Sequence, residues 1–340
     1  MKELHRQHEG KILQADERFP HVMALALDPR SHYRTGVVRC ITRREGDISM
    51  MGGIDRSELH IVKGSAMEGF EIGEKLQMKN EVEILARLGW GSSDLISMED
   101  PDIWIDENND DVHLYFSLAF IDRTDPRKNK VHLGHAVGKD LRSLTMTMPV
   151  LLQDAQGGAK ELSVAPVNKD GIRLNLVESA QEESDHFYSV VRLAIADDMG
   201  KGWRFGGTVF HPKEHSIPWI AGHASPGPLF SKKFIDIGSG KSVGLLNGRE
   251  ADRCVGGRTK FGMFSIGLFI YDHENGKIDW VSPEPFIQDI EAKTITFASQ
   301  FVETGNGKGI LYAHVDDSFV RAYALKAELL ASVLKAGSLS

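Results

Sequence analysis

Apolar residues in this chain fall into short runs closed by Gly, Asp and Asn, and runs of that kind are the signal for strands and hairpins. Five of them stand out: Leu59–Val62, Val131–Val137, Val191–Ala196, Ile266–Tyr271 and Phe319–Leu325. Each follows a second run rich in β-branched or aromatic residues: Gly36–Thr42, Val112–Ala119, Ile172–Val177, Ser242–Leu246 and Gly309–Val315. The paired runs recur at intervals of roughly 65 residues, more than the about 40 residues that a four-stranded blade needs, with the surplus in loops. The pattern predicts an all-β chain, a five-bladed β-propeller formed by residues 1–340 as a single domain. An irregular β-sandwich or a pair of β domains would use the same runs. Helical spacing is scarce. It predicts a short helix at Glu81–Leu88, and a segment Val320–Leu334 that begins as strand and ends as a short C-terminal helix on the propeller's outside.

Composition narrows the function classes. At 340 residues the length alone suggests about two domains, a prior that repeated β architectures override. The 34 glycines favour a fold with many tight turns. Lys and Arg total 40 against 48 Asp and Glu, a formal charge of −8, and no basic block interrupts the chain. Such a chain is poorly suited to non-specific binding of nucleic acid or of an anionic membrane. The first residues lack the apolar core of a secretory signal, and no run of 18 apolar residues occurs, so the expectation is a cytoplasmic protein with no membrane partner. Cys40 and Cys254 make no disulfide framework. None of the 14 histidines belongs to a spaced ligand set, and no metal or nucleotide motif appears, so no metal or cofactor is expected. A homo-oligomer is compatible with the sequence.

A propeller gathers polar groups from distant parts of a chain at its axial funnel. Three consecutive repeats offer a carboxylate near a proline ahead of a strand: Asp28-Pro29, Glu99-Asp100-Pro101-Asp102, and Lys160-Glu161 before Pro166. Two or three convergent carboxylates suit glycoside hydrolysis, which needs one protonated acid and one ionised partner. Asp28, Asp100 and Glu161 are the catalytic candidates. Turn formation is the competing role for Asp28 and Asp102, because Asp bonds its own backbone. Candidates for holding substrate are Asp102, Trp104, Lys160, Glu178, His223, Arg249, Glu250 and Asp316. Ser225, His314 and Asp317 could also reach the funnel, and Trp90, Trp104 and Trp219 could stack on sugar faces or pack in the core.

These motifs carry a resemblance. The stretch from Met98 to Thr208 resembles the five-bladed propeller glycosidases of glycoside hydrolase families 43 and 130. Glu99-Asp100-Pro101 is similar to the Glu-Asp-Pro-Arg motif of family 130, whose Asp is the proton donor of mannoside phosphorylases and mannosidases. Lys160-Glu161 resembles that family's Lys-Asp. Gly222-His223-Ala224-Ser225-Pro226-Gly227-Pro228, Asn247-Gly248-Arg249-Glu250 and Gly267–Trp280 resemble its later segments. Against family 43, Asp28 resembles the general base, Asp100 the residue that tunes the acid, and Glu161 the general acid. The two analogies share positions and differ on roles.

The chain departs from family 130 at two arginines. Asp102 stands after Glu-Asp-Pro, and Glu178 stands where a phosphate-binding Arg is expected. Losing two cations favours water over phosphate as nucleophile. The resemblance therefore implies an inverting glycoside hydrolase acting on a β-linked oligosaccharide, a β-mannoside in the first instance. A phosphorylase using inorganic phosphate held by Lys160, Arg39 and Arg249 stays open, as does a non-catalytic carbohydrate-binding propeller.

Overall fold

The paired apolar runs become the second and third strands of five successive antiparallel units. The computed structural model describes residues 5–65, 68–89, 95–121, 129–183 and 186–337. Unit 1 comprises His21–Leu27, Thr35–Glu45, Ile54–Ser65 and Gly69–Lys75, and unit 2 comprises Leu95–Ile105, Val112–Phe120, Lys130–Gly138 and Thr145–Met146. Unit 3 is Lys160–Ser163, Arg173–Glu183, His186–Ala196 and Arg204–Phe210. Unit 4 is His223–Leu229, Lys241–Arg249, Phe264–Asp272 and Lys277–Val281. In unit 5, Thr296–Gly305, Lys308–Val315 and Phe319–Lys326 receive their fourth strand from the other end of the chain, where His5–Gln7 pairs with Phe319–Lys326. Leu13–Gln14 pairs with the same strand. This closure joins the two ends of the chain and leaves few open edges, as a propeller requires.

The units are the blades. Blades 1 and 2 touch through one parallel bridge, Ser57 to Ser97, and blades 3 and 4 through another, Ser189 to His223. Between blades the strands present fully buried side chains, such as Leu114 and Phe116 with Leu59 and Met146, and Leu245 with Leu311 and Leu325. Trp219 lies flat in this packing. A Cβ on Gly248 or Gly267 would come within 2.3 and 2.4 Å of its indole, so both positions need glycine. The indole N–H donates to the Ser282 carbonyl at 3.0 Å. The expected helices are present at Glu81–Arg87 and Ala327–Gly337, and the latter packs Leu330 and Leu334 into the cluster around Phe234.

One displacement from the sequence reading matters for the site. The innermost strands are shorter or more polar than their neighbours, because they line the axis rather than a blade interface. In blade 1 the innermost strand is His21–Leu27, so Asp28 follows it rather than opening it.

Candidate active site

In the first three blades the innermost strand breaks its ladder at the same place. Register shifts lie between Met23 and Leu25, between Glu99 and Asp102, and between Lys160 and Ser163. The bulged residue is left-handed each time: Ala24 at φ 48°, Asp100 at 49° and Glu161 at 52°. A non-glycine residue held there costs on the order of 1–3 kcal/mol, and a bulge re-aims its side chain. Blades 2 and 3 carry carboxylates at this position and blade 1 carries alanine. The second strands show the same equivalence, since Met23 faces Arg39, Glu99 faces Ser117 and Lys160 faces Glu178.

Around these bulges lies a cavity of about 310 Å³. Asp55, Glu99, Asp100, Glu161, Glu178 and Asp317 line it, together with the cations Arg39, Lys160 and Arg249. Met23, Ile48, Met50, Phe261, Phe264, Ile295 and Phe297 give it an apolar side. Each of the three cations has a carboxylate within 4 Å, and the buried Arg249 Nε keeps an unused N–H. Arg39 is 6% exposed and binds Glu99 at 2.8 Å, Asp100 at 3.0 Å and the Ser57 hydroxyl at 2.9 Å. Lys160 Nζ is 3.6 Å from Glu178. Arg249 reaches Asp252 at 3.2 Å and stacks on Phe261, 4.2 Å from the ring centroid.

Proton affinities divide the carboxylates. Burial, then the charges of Asp100 and Glu178, push Glu161 well above the usual carboxylate range, and its carboxyl hydrogen-bonds Asp100. Like charges this close disfavour ionising, so Glu161 is the pocket carboxyl that favours its protonated form. Glu178 goes the other way. Burial alone would raise it, but His223, 3.0 Å away, and Lys160 outweigh burial and keep it below the ordinary range. Burial lowers His223 despite that carboxylate. Asp317 is likewise held low: His314 at 2.8 Å, then Arg39 and Arg44, overcome its burial. The pocket therefore contains a proton donor beside one wall and an ionised carboxylate at another.

The sequence-derived candidates separate cleanly. Asp100, Glu161, Lys160, Glu178, His223 and Arg249 all line the cavity. Asp28 does not. It caps the turn Pro29–Ser31 at the far end of its strand, accepting from the Arg30 amide at 2.9 Å and pairing with the Arg30 guanidinium at 2.9 Å. Arg30 in turn donates to the Asp110 and Lys139 carbonyls of blade 2, at 2.8 and 2.9 Å. The equivalent of a blade 1 carboxylate would be Ala24, four residues earlier. Asp28→Ala is accordingly expected to cost about 1 kcal/mol of stability, the usual worth of a cap, and to leave turnover unchanged; melting curves beside activity assays check it.

Asp102 and Trp104 lie further along their strand, against a second cavity of about 140 Å³ shared with Ser163, Ser299 and Gln300. Burial raises Asp102 to about 6 there. Trp104 is covered by Arg173, 5.3 Å from its ring, and by the edge of His113. Trp219 is core, as described above, and Trp90 lies outside the described residues. Glu250 pairs with Arg253 at 3.1 Å outside the cavity. Asp316 accepts the Thr294 and Ile295 amides at 2.8 and 3.0 Å and so ties a loop, while its neighbour Asp317 faces the pocket. Sequence reasoning did not select Asp55, Phe261, Phe264 or Phe297. No sequence signal marked them: Asp55 and Phe264 stand at the start of third strands, Phe261 in the loop before one, and Phe297 in the innermost strand of blade 5.

No protein-family model matches the chain, and no curated protein matches it. Solved structures do. The β-1,2-mannobiose phosphorylase from Listeria innocua is 11% identical with a TM-score of 0.65, over 98% of this chain and 99% of its own. A glycosyl hydrolase from Bacteroides ovatus is 16% identical with a TM-score of 0.64, over 95% and 94%. An endo-arabinase from Bacteroides thetaiotaomicron is 13% identical with a TM-score of 0.54, over 94% and 97%. The strand topology and these likenesses agree: in fold, the chain is similar to the β-propeller glycoside hydrolases and glycoside phosphorylases.

Proposed function

We propose that the chain is a glycoside hydrolase acting on a β-linked oligosaccharide, with β-mannosides the first substrates to test. The observation that carries this reading is the convergence in one pocket of Glu161, whose proton affinity burial and the charges of Asp100 and Glu178 raise, and Asp317, whose proton affinity is held low. The carboxyls of Glu161 and Asp100 are in hydrogen-bond contact, nearer than the about 5–5.5 Å of a retaining pair or the about 6.5–9.5 Å of an inverting one. Glu161 is the acid and gives its proton to the leaving oxygen. The base then comes from across the axis. Blade 3 neighbours blades 2 and 4, so blades 5 and 1 form the opposite wall, where Asp317 stands ionised. Water adds to the anomeric carbon as the glycosidic C–O bond breaks, Asp317 takes the water's proton, and inversion results.

Phosphorolysis fits less well. An incoming phosphate dianion would meet several carboxylates, and each described lining Arg or Lys already has a carboxylate within 4 Å. Turnover of β-linked manno-oligosaccharides is expected in phosphate-free buffer, unchanged when phosphate is added. Strict dependence on phosphate would overturn the choice of water. Asp317→Asn is expected to lose about 10²- to 10⁴-fold in kcat, the span of a lost general base, with partial rescue by added azide or formate.

A further inference from the structure

A cleft opens between blades 2 and 3 on the face of the ring opposite the catalytic pocket. The pocket is lined by connections between second and third strands, which carry Ile48, Met50, Phe261 and Asp317. Antiparallel strands alternate in direction, so the connections between first and second strands, and between third and fourth, lie at the other end. Asp106 stands there, about 20 Å of extended chain beyond Asp100. Connections of this kind in blades 2 and 3 enclose a cavity of about 480 Å³. His113, only 6% exposed, lines it. Burial lowers the proton affinity of this ring and of His135 behind it, the latter to about 3. Their bonds fix the tautomers. The Thr147 hydroxyl donates to the Met148 carbonyl at 2.9 Å and so accepts from His135 Nδ1 at 2.8 Å. His135 Nε2 is then the acceptor for His113 Nδ1–H at 3.0 Å. His113 Nε2 is left with a lone pair and no partner among the described residues. Gly200 keeps the space beside the ring open, since a Cβ there would lie 3.3 Å from His113 Cε1 and 3.5 Å from Asp198 Oδ1.

We propose that this cleft is a second sugar-binding site, taking a neutral, hydroxyl-rich chain on the face away from the catalytic pocket. The His113 lone pair and the carboxylates of Asp106, Glu107 and Asp198 accept hydrogen bonds from sugar hydroxyls. Arg173 gives one N–H to the Ala165 carbonyl at 2.6 Å and keeps others for a ligand oxygen. Trp104 and the exposed Val167 add apolar surface for the C–H groups of a sugar ring. Charge selects the class of ligand. An anion would meet four carboxylates. A cation would find two of them already matched, because Asp198 pairs with Lys201 and Asp197 with Arg204, each at 2.8 Å. No three His, Cys, Asp or Glu side chains among the described residues are placed to hold a metal ion. The volume falls within the roughly 300–1,000 Å³ of small-ligand sites. Sugar bound here leaves the catalytic pocket free, so a polymer held at this face raises the concentration of its own units around the enzyme. The ligand class follows from the wall of the cleft and does not depend on the hydrolase reading.

The test follows the His113 ring by NMR in protein carrying isotope-labelled histidine. The Glu161→Gln background is used so that no sugar is consumed. The neutral probes are β-linked mannotriose, cellotriose and xylotriose, set against glucuronate, glucosamine and zinc ion. At least one neutral trisaccharide is expected to shift the His113 resonance saturably, and to bind more tightly there than any charged probe. Gly200→Leu, which fills the space between His113 and Asp198, should abolish the shift; introduced without Glu161→Gln, it should leave turnover of an aryl β-mannoside unchanged. Glu107→Ala, a surface change, should weaken the binding by about 2- to 10-fold, the worth of one hydrogen bond. No shift with any neutral probe, an equal shift in folded Gly200→Leu protein, or tighter binding of a charged probe would each overturn the inference. Turnover of the aryl mannoside in those cases would leave the hydrolase reading standing. A saturable shift in a chain inactive on every glycoside would leave this site standing and overturn that reading.

Discussion

Glu161→Gln is expected to abolish turnover and yet to make the protein more stable at neutral pH. The loss of activity follows from removing the acid's proton, worth about 10²- to 10⁴-fold. The gain in stability follows from linkage. In the unfolded chain a glutamate ionises near its ordinary pKa of about 4.3. In the folded protein burial and the neighbouring Asp100 and Glu178 keep Glu161 protonated well above that range. Between the two values the native state binds more protons than the unfolded state, so stability falls as pH rises through that window. Glutamine has no proton to lose, and the variant should lack this alkaline decline. The difference in melting temperature between variant and wild type should therefore widen from about pH 4.5 upward. Parallel curves would show that Glu161 is not held protonated by the fold, and the acid assignment would fall with it.

The largest stability loss is expected from Arg39→Met. Arg39 is buried and joins Glu99, Asp100 and Ser57 beneath the pocket, and both carboxylates raise its affinity for its own proton. Removing one partner of a buried charge network costs about 3–5 kcal/mol, because the charges left behind are neither paired nor hydrated. Activity should vanish as well, since Asp100 loses the guanidinium that positions it beside Glu161. The cost belongs to the orphaned charges rather than to the missing arginine. A triple variant, Arg39→Met with Glu99→Gln and Asp100→Asn, is therefore expected to regain most of the stability while staying inactive. Denaturant titrations of the single and triple variants check both halves. A triple variant no more stable than the single one would mean that Arg39 acts through packing alone.

How much of this was legible in the chain depends on the kind of residue. Glu161 and Asp100 could be found because each sits in a short polar motif between strands with strong apolar patterns. Asp28 sits in a similar motif and does something else. It caps a turn, and its strand had been placed on the wrong side of it, because the innermost strand His21–Leu27 is a continuous apolar run without the alternation that marks a half-buried one. The repeat that would have exposed the error is structural: three bulges, three left-handed residues and an alanine in the first of them. Asp316 and Asp317 make the same point at one residue's resolution. Both end the same strand, and only the turn geometry decides which carboxylate binds backbone amides and which faces the pocket.

By itself, then, the order of residues determined the β repeat, the closing helix and the acidic character of two pocket motifs, because burial imprints a local period on any chain. The tertiary structure decided which carboxylates line the pocket, which cations stand beside them, and which loops of blades 1 and 4 meet. Those are contacts between groups tens to hundreds of residues apart, and no local pattern records that Glu161 comes to be buried beside Asp100 and Glu178 once the ring has closed around them.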